Sequence, residues 1–190
     1  DKERATLCVS SQAGCRMNCA FCMTGRGGFQ GQLTAAQIIN QVLSVPQSAS
    51  LTNIVFMGMG EPADNVAEVI RAIDILLHRG AWHGVDGLKA LLEQTQAHIA
   101  ISVHNPFGGQ RGQIMPVEKA YPLEEVMNLL RSYDFRHQRR LSLEYTLFAG
   151  RNDSPAHARA LADIARSVDA RVNLIRFHRI PGFEGHAPAQ

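Results

Sequence analysis

Cysteine is absent from the last 168 of the 190 residues; Cys8, Cys15, Cys19 and Cys22 are the only four. A disulfide framework staples distant parts of a chain, so this distribution excludes one. Clustering also argues against four scattered core thiols, although a thiol packs readily as a small hydrophobe. Metal ligation is the reading that accounts for it, and it implies a reducing, cytoplasmic compartment. Long apolar runs are lacking too. The clearest spans Ile54 to Met59, far short of the ~18 residues of a membrane span. The opening Asp1-Lys2-Glu3-Arg4 carries no signal-peptide pattern, and the missing initial Met fits a piece of something longer. Charge imbalance is slight at +2, yet 16 of the 19 basic residues are Arg, the side chain suited to phosphate and carboxylate forks. Gly and Pro are ordinary for a folded chain, and the length predicts one domain, residues 1–190.

What is present is an alternation of apolar runs and amphipathic stretches. Ala5 to Val9 reads as a strand and Ser10 to Gly31 as a Gly-rich loop. Thr34 is placed to cap a helix over 35–45, where Ile38, Ile39, Val42 and Val45 recur at helical spacing before Pro46. Further strands are predicted at 53–57, 99–103, 141–148 and 172–177, and helices at 65–78, 88–94, 122–133 and 155–168. Continuously apolar strands separated by helices predict an α/β fold, a parallel sheet with outer helices. Functional groups in such folds collect at the carboxyl ends of strands. The Cys loop, Glu61, His104, Asn152-Asp153 and His178 all stand there, and a barrel-like sheet gathers them on one rim. Asn152-Asp153-Ser154 is equally explained as a turn plus helix cap. The alternation breaks once: Arg79 to Gly87 joins two helical patterns without a strand, so a strand is missing near 80–87.

Cys15, Cys19 and Cys22 form C-x-x-x-C-x-x-C after the first strand. Three such thiolates suit three corners of an iron–sulfur cube, leaving the fourth iron open to a substrate or cofactor. The alternative is zinc, with Cys8 as the fourth ligand of a tetrahedral site. Structural zinc sites usually draw on two knuckles far apart in sequence, whereas one compact loop is found here, which favours the cluster. The loop, with Phe21 before Cys22, resembles the signature of the radical S-adenosylmethionine superfamily. The strings Arg4 to Gln12 with Gly14, Gly58-Met59-Gly60-Glu61-Pro62, Ile101-Ser102-Val103-His104, Leu143-Glu144-Tyr145, Asn152-Asp153-Ser154 and Asn173-Leu174-Ile175 resemble the RlmN/Cfr family of radical-SAM RNA adenine methyltransferases. The resemblance runs from Arg4 to Gly182.

That resemblance implies a partial (β/α) barrel of the radical-SAM type holding a 4Fe–4S cluster on Cys15, Cys19 and Cys22 and S-adenosyl-L-methionine (SAM) on its open iron. Gly60 and Glu61 then meet the methionine part of SAM. Ser102, Val103 and His104 line its pocket, and His178, where many relatives have Asn, faces the adenosine. Cys8 matches a family Cys implicated in resolving a covalent RNA adduct. The implied reaction methylates carbon 2 of an adenine in 23S rRNA and in tRNA through a methylated Cys, in a monomer served by a reductant such as flavodoxin. Cfr relatives methylate carbon 8. The methyl-carrying Cys and the family's N-terminal domain are not among these residues, and the strand missing near Trp82 is where relatives place a SAM-contacting Ser. The expectation is therefore a core truncated at both ends that binds cluster and SAM without turnover. The rival readings are another radical-SAM activity, against which the strings outside the Cys loop count, and a non-catalytic zinc-stabilised RNA-binding module. The module would use the Arg groups at 136–140 and 171–179 as its phosphate footprint; solvated faces account for them equally well.

Overall fold

The computed structural model describes residues 4–77, 87–135 and 141–185. The chain divides into two compact units, Asp1–Asn18 with Thr24–Thr95, and Cys19–Met23 with Gln96–Gln190. Elements of the first unit are β1 (Thr6–Cys8), β2 (Gln12–Gly14), β3 (Phe29–Gln32), α2 (Ala35–Leu43), β4 (Asn53–Val55), α3 (Val66–Leu76) and α4 (Gly87–Gln94), with a single helical turn, α1 (Met23–Arg26), before β3. β1 and β4 pair in parallel, Leu7 opposite Ile54. Helix α2 starts where the sequence places it: Thr34 Oγ1 accepts from the Gln37 amide at 3.2 Å and Gln37 Oε1 accepts from the Thr34 amide at 2.9 Å. This reciprocal cap satisfies two orphan donors and is worth about 1 kcal/mol. A third, the Ala35 amide, donates to Glu68 of α3 at 2.6 Å. The apolar faces of α2 (Ile38, Val42) and α3 (Val69, Ile70, Ala72) are buried, each large side chain contributing roughly 1.5–3 kcal/mol.

In the second unit, β5 (Ile99–Ser102), β6 (Leu141–Leu147) and β7 (Arg171–Arg176) form a parallel sheet in that order. The helices are α5 (Gly108–Ile114), α6 (Leu123–Arg131) and α7 (Pro155–Ser167). Central strand β6 buries Leu141, Leu143 and Tyr145, and α6 buries Leu123, Met127 and Leu130 along one helical stripe. Ser154 caps α7 by accepting from the His157 amide, with Pro155 at its first turn. Helices between parallel strands give the α/β class expected, and among the described residues no sheet closes into a barrel.

Three local expectations are corrected. Ser10 to Gly31 is not all loop, because β2 and β3 form an antiparallel hairpin with a bulge between Ala13 and Gly14. Its strands are three and four residues long and polar, too short to show a period of two. The helix predicted from Asn65 opens as a 3-10 turn over Pro62–Asn65, since Pro62 supplies a fixed φ at its start. α5 was not anticipated, because three glycines in seven residues mask its helical pattern. His78, the strandless linker through residue 86, and the Arg group at 136–140 lie outside the described residues. Among those described, no helix is long and apolar enough to cross a membrane.

Gly14 has φ +78°, and a Cβ there would stand 1.9 Å from the Gly28 carbonyl oxygen, whereas one at Gly31 would meet nothing within 4 Å. Gly14→Ala is therefore expected to lower the unfolding free energy by at least about 2 kcal/mol. Gly31→Ala should shift it by less than about 0.5 kcal/mol. Urea titrations of the two variants check both.

Candidate functional site

Two of the strings singled out in the sequence are one hydrogen-bonded object in the first unit. The Gly58 amide donates to the Val9 carbonyl at 3.1 Å, and the Ser11 and Gln12 amides donate to the Met59 carbonyl at 2.9 and 3.2 Å. Ser10 Oγ accepts from the Met59 amide at 3.0 Å, and Gln12 Oε1 accepts from the Glu61 amide at 2.9 Å. Such close backbone approach explains the glycines. A Cβ at Gly58 would lie 2.8 Å from the Val9 oxygen, and one at Gly60, which has φ +102°, would lie 2.6 Å from Gln12 Cβ. Glu61 caps the following 3-10 turn, its Oε1 accepting from the Ala63 amide at 3.1 Å. Burial pushes the Glu61 carboxyl above the usual carboxylate range; the Ala63 hydrogen bond opposes the shift and Asp64 adds to it. A cationic group placed beside it would favour the charged form.

The cysteines are four thiols without a disulfide: Cys8 exposed on β1, the other three half-buried. In the first unit the Cys15 amide donates to the Gly28 carbonyl at 3.1 Å. Arg16 pairs with Asp64 at 3.1 Å and stacks over the Phe29 ring, 3.9 Å from its centroid. In the second unit the Cys22 amide donates to the Cys19 carbonyl at 3.1 Å, and the Ala20 amide to the Ile114 carbonyl at 3.0 Å. Cys19 and Phe21 pack on Ile114, Met115, Phe148 and Phe177. Phe21 also sets its ring edge-on to His104 at 4.9 Å. Among the described residues no three His, Cys, Asp or Glu side chains are grouped as metal ligands. A fit to an iron–sulfur cluster therefore rests on the donor chemistry: three thiols within eight residues, the soft ligands that iron–sulfur clusters take.

The remaining strings meet in the second unit. The Val103 and His104 amides both donate to the Glu144 carbonyl, at 3.0 and 3.3 Å. Val103 is fully buried and His104 is 6% exposed, with φ +53°. His104 Nδ1 accepts from the Thr146 amide at 2.9 Å, which leaves the proton of the neutral ring on Nε2. Burial, then the charge of Arg111, holds His104 at a pKa of about 4. Asn173 Nδ2 donates to Glu144 Oε2 at 2.6 Å. His178 follows β7 and is exposed.

Two further residues hold this site: Asn152, which the sequence placed at a strand end but explained equally as a turn and cap, and Arg111, which it did not single out. Asn152, 2% exposed, is more than a turn residue: its Nδ2 donates to the His104 and Thr146 carbonyls at 2.6 and 2.7 Å, and its Oδ1 accepts from the Phe148 amide at 2.7 Å. Arg111, 5% exposed, donates to the Ser102 and Val103 carbonyls at 3.0 and 3.1 Å and pairs with Glu118. Removing one partner of a buried pair costs about 3–5 kcal/mol. Asn-Asp-Ser reads as a cap in any sequence, and a lone Arg announces nothing about carbonyls eight and nine residues away.

Residues 9–162 match the Radical SAM superfamily. The chain is 52% identical to the probable dual-specificity RNA methyltransferase RlmN of Bacteroides thetaiotaomicron, over 96% of this chain and 56% of that protein. It is 53% identical to the protein of the same description from Parabacteroides distasonis, over 94% and 56%. The chain thus spans about half the length of these curated relatives. The crystal structure of a radical SAM methyltransferase from Sphaerobacter thermophilus superposes with a TM-score of 0.86 at 35% identity, over 98% of this chain and 60% of that one.

His104 gives a pH test. Its folded pKa, about 4, lies below the ordinary 6.5, so the unfolded chain binds a proton that the folded one excludes. The stability this contributes is complete above about pH 6.5 and is lost as pH falls toward 4, at up to about 1.4 kcal/mol per pH unit. His104→Asn, which tolerates the positive φ, should lose that one-proton slope. Urea unfolding of both proteins at pH 4.5, 5.5 and 6.5 (roughly spanning the window) measures the difference.

Proposed function

The chain belongs to the radical SAM superfamily, whose cofactors are a 4Fe–4S cluster and SAM, and from that premise we propose that it forms the core of an RNA methyltransferase of the RlmN kind. Its substrates are an adenine of 23S rRNA and one of tRNA, methylated at carbon 2. Support for this reading is identity at half the positions with proteins described as RlmN, over nearly the whole chain. Superfamily membership displaces the zinc module as an account of the thiols.

Cys15, Cys19 and Cys22 would hold the cluster. When bound, the cluster and SAM together supply the radical chemistry that carbon 2, inaccessible to polar methyl transfer, requires. The chain's own residues bind and orient. Glu61, at the end of a tightly packed turn, offers Oε2 to the ammonium group of SAM while Oε1 stays on the Ala63 amide. Ser102, Val103 and His104 would contact SAM from the second unit; neutral His104 has Nε2 as its donor, and Val103 contributes packing. The Phe21 ring stands edge-on against His104. His178 is free to reach the adenosine, and exposed Cys8 to attack an RNA adduct.

Replacing Cys15, Cys19 or Cys22 by Ala should abolish iron retention and the visible cluster absorption after anaerobic reconstitution, whereas Cys8→Ala should keep both. Equal iron loss in the Cys8 variant would sink this division of the thiols. Glu61→Gln should keep the cluster and weaken SAM binding about tenfold to a hundredfold, the value of a charge-assisted hydrogen bond; isothermal titration measures it. The RNA assignment is tested by exchanging these residues for the matching core of the Bacteroides thetaiotaomicron relative and digesting the treated RNA for mass spectrometry. Methylation at carbon 2 is expected. Carbon 8 methylation would overturn the regiochemistry, and unmodified RNA from a cluster-loaded protein would overturn the function.

A further inference from the structure

Gln12 is fully buried, and its carboxamide is used on both sides. Nε2 donates to Gln32 Oε1 at 2.8 Å and to Asp64 Oδ2 at 2.6 Å. Oε1 accepts from the Glu61 amide at 2.9 Å. The same Asp64 oxygen receives Arg16 Nε at 3.1 Å, one residue after Cys15, and Gln32 Nε2 donates to the Asp64 carbonyl at 2.8 Å. Gly60 lies against the Gln12 side chain so closely that its missing Cβ would be 2.6 Å from Gln12 Cβ. One amide therefore fixes the backbone at Glu61 and, through Asp64, the side chain that follows the first cysteine of the motif.

We infer that Gln12 is a positioning residue for SAM: it sets the Gly60–Glu61 turn that presents the Glu61 carboxylate, and through Asp64 and Arg16 it ties that turn to the chain at Cys15. The inference rests on the proposed role of Glu61. Its chemical basis is that a carboxamide alone serves all three partners. Met fills the space with no donor and only a weak acceptor. Glu keeps an acceptor for the Glu61 amide but loses both donors and sets an acid against Asp64.

The test uses the anaerobically reconstituted chain and the variants Gln12→Met and Gln12→Glu. Hydrogen exchange of the peptide spanning 59–65, read by mass spectrometry, should show a faster amide in Gln12→Met and near wild-type protection in Gln12→Glu. SAM affinity by titration should fall about five- to tenfold in Gln12→Met, the worth of one hydrogen bond, and less in Gln12→Glu. A merely structural role would not produce this rescue, because Gln12→Glu is the more disruptive change to the buried network. Combined with Glu61→Gln, Gln12→Met should cost little more, since both act through one carboxylate. Unchanged exchange at 59–65 in Gln12→Met, or strictly additive losses of SAM affinity, would overturn the inference. If Gln12→Met does not fold, the Gln12→Glu exchange decides alone, and loss of protection there overturns it. Should Glu61→Gln bind SAM as tightly as the unaltered chain, the assignment of Glu61 falls, while the exchange data still decide whether Gln12 holds the turn.

Discussion

A carboxamide removed from water must have its donors and acceptor matched inside the protein, because each unpaired site costs about 1–3 kcal/mol. Gln12, Asn65 and Asn152 are all buried, and each meets the demand by reaching several pieces of backbone or side chain at once. Asn65 Nδ2 donates to the Ser11 and Leu33 carbonyls at 2.7 and 2.8 Å. Asn152 joins the end of β5 to the end of β6. Short strands with few ladder bonds do not fix the loops that leave them. These amides do so, at the strand ends where the polar residues of interest stand.

Charged groups in the second unit are handled in two different ways. His104 gives up its charge under burial and is left as a neutral ring with one nitrogen committed to Thr146. Arg111 keeps its charge and spends its planar fork on two carbonyls and the Glu118 carboxylate. The division follows chemistry: an imidazole sheds its proton cheaply, whereas a guanidinium does not. Together they leave the β5 terminus tied to its neighbours and with little net charge.

The elements that repeat an apolar period over two turns or more, such as α2, α6 and α7, were legible, as was the parallel arrangement. Thr34 and Ser154 marked their helix starts because capping is local chemistry. The hairpin of β2 and β3 was not legible, since Gln12 and Gln32 look like surface residues until they meet each other. Likewise Glu61, His104, Asn152 and the three cysteines stood out by type and place, whereas the bonds that Asn152 and Arg111 make reach partners that no spacing rule connects to them.

The contact between Gly60 and Gln12 also limits how this chain can change over generations. A Cβ at position 60 would meet the Gln12 backbone nitrogen at 2.8 Å as well as its Cβ at 2.6 Å, and φ +102° opposes one in any case, so no smaller side chain at position 12 makes room for it. Position 60 is therefore held to glycine by the backbone as much as by its neighbour's side chain, and a lineage leaves the arrangement only by changing the path of the chain there.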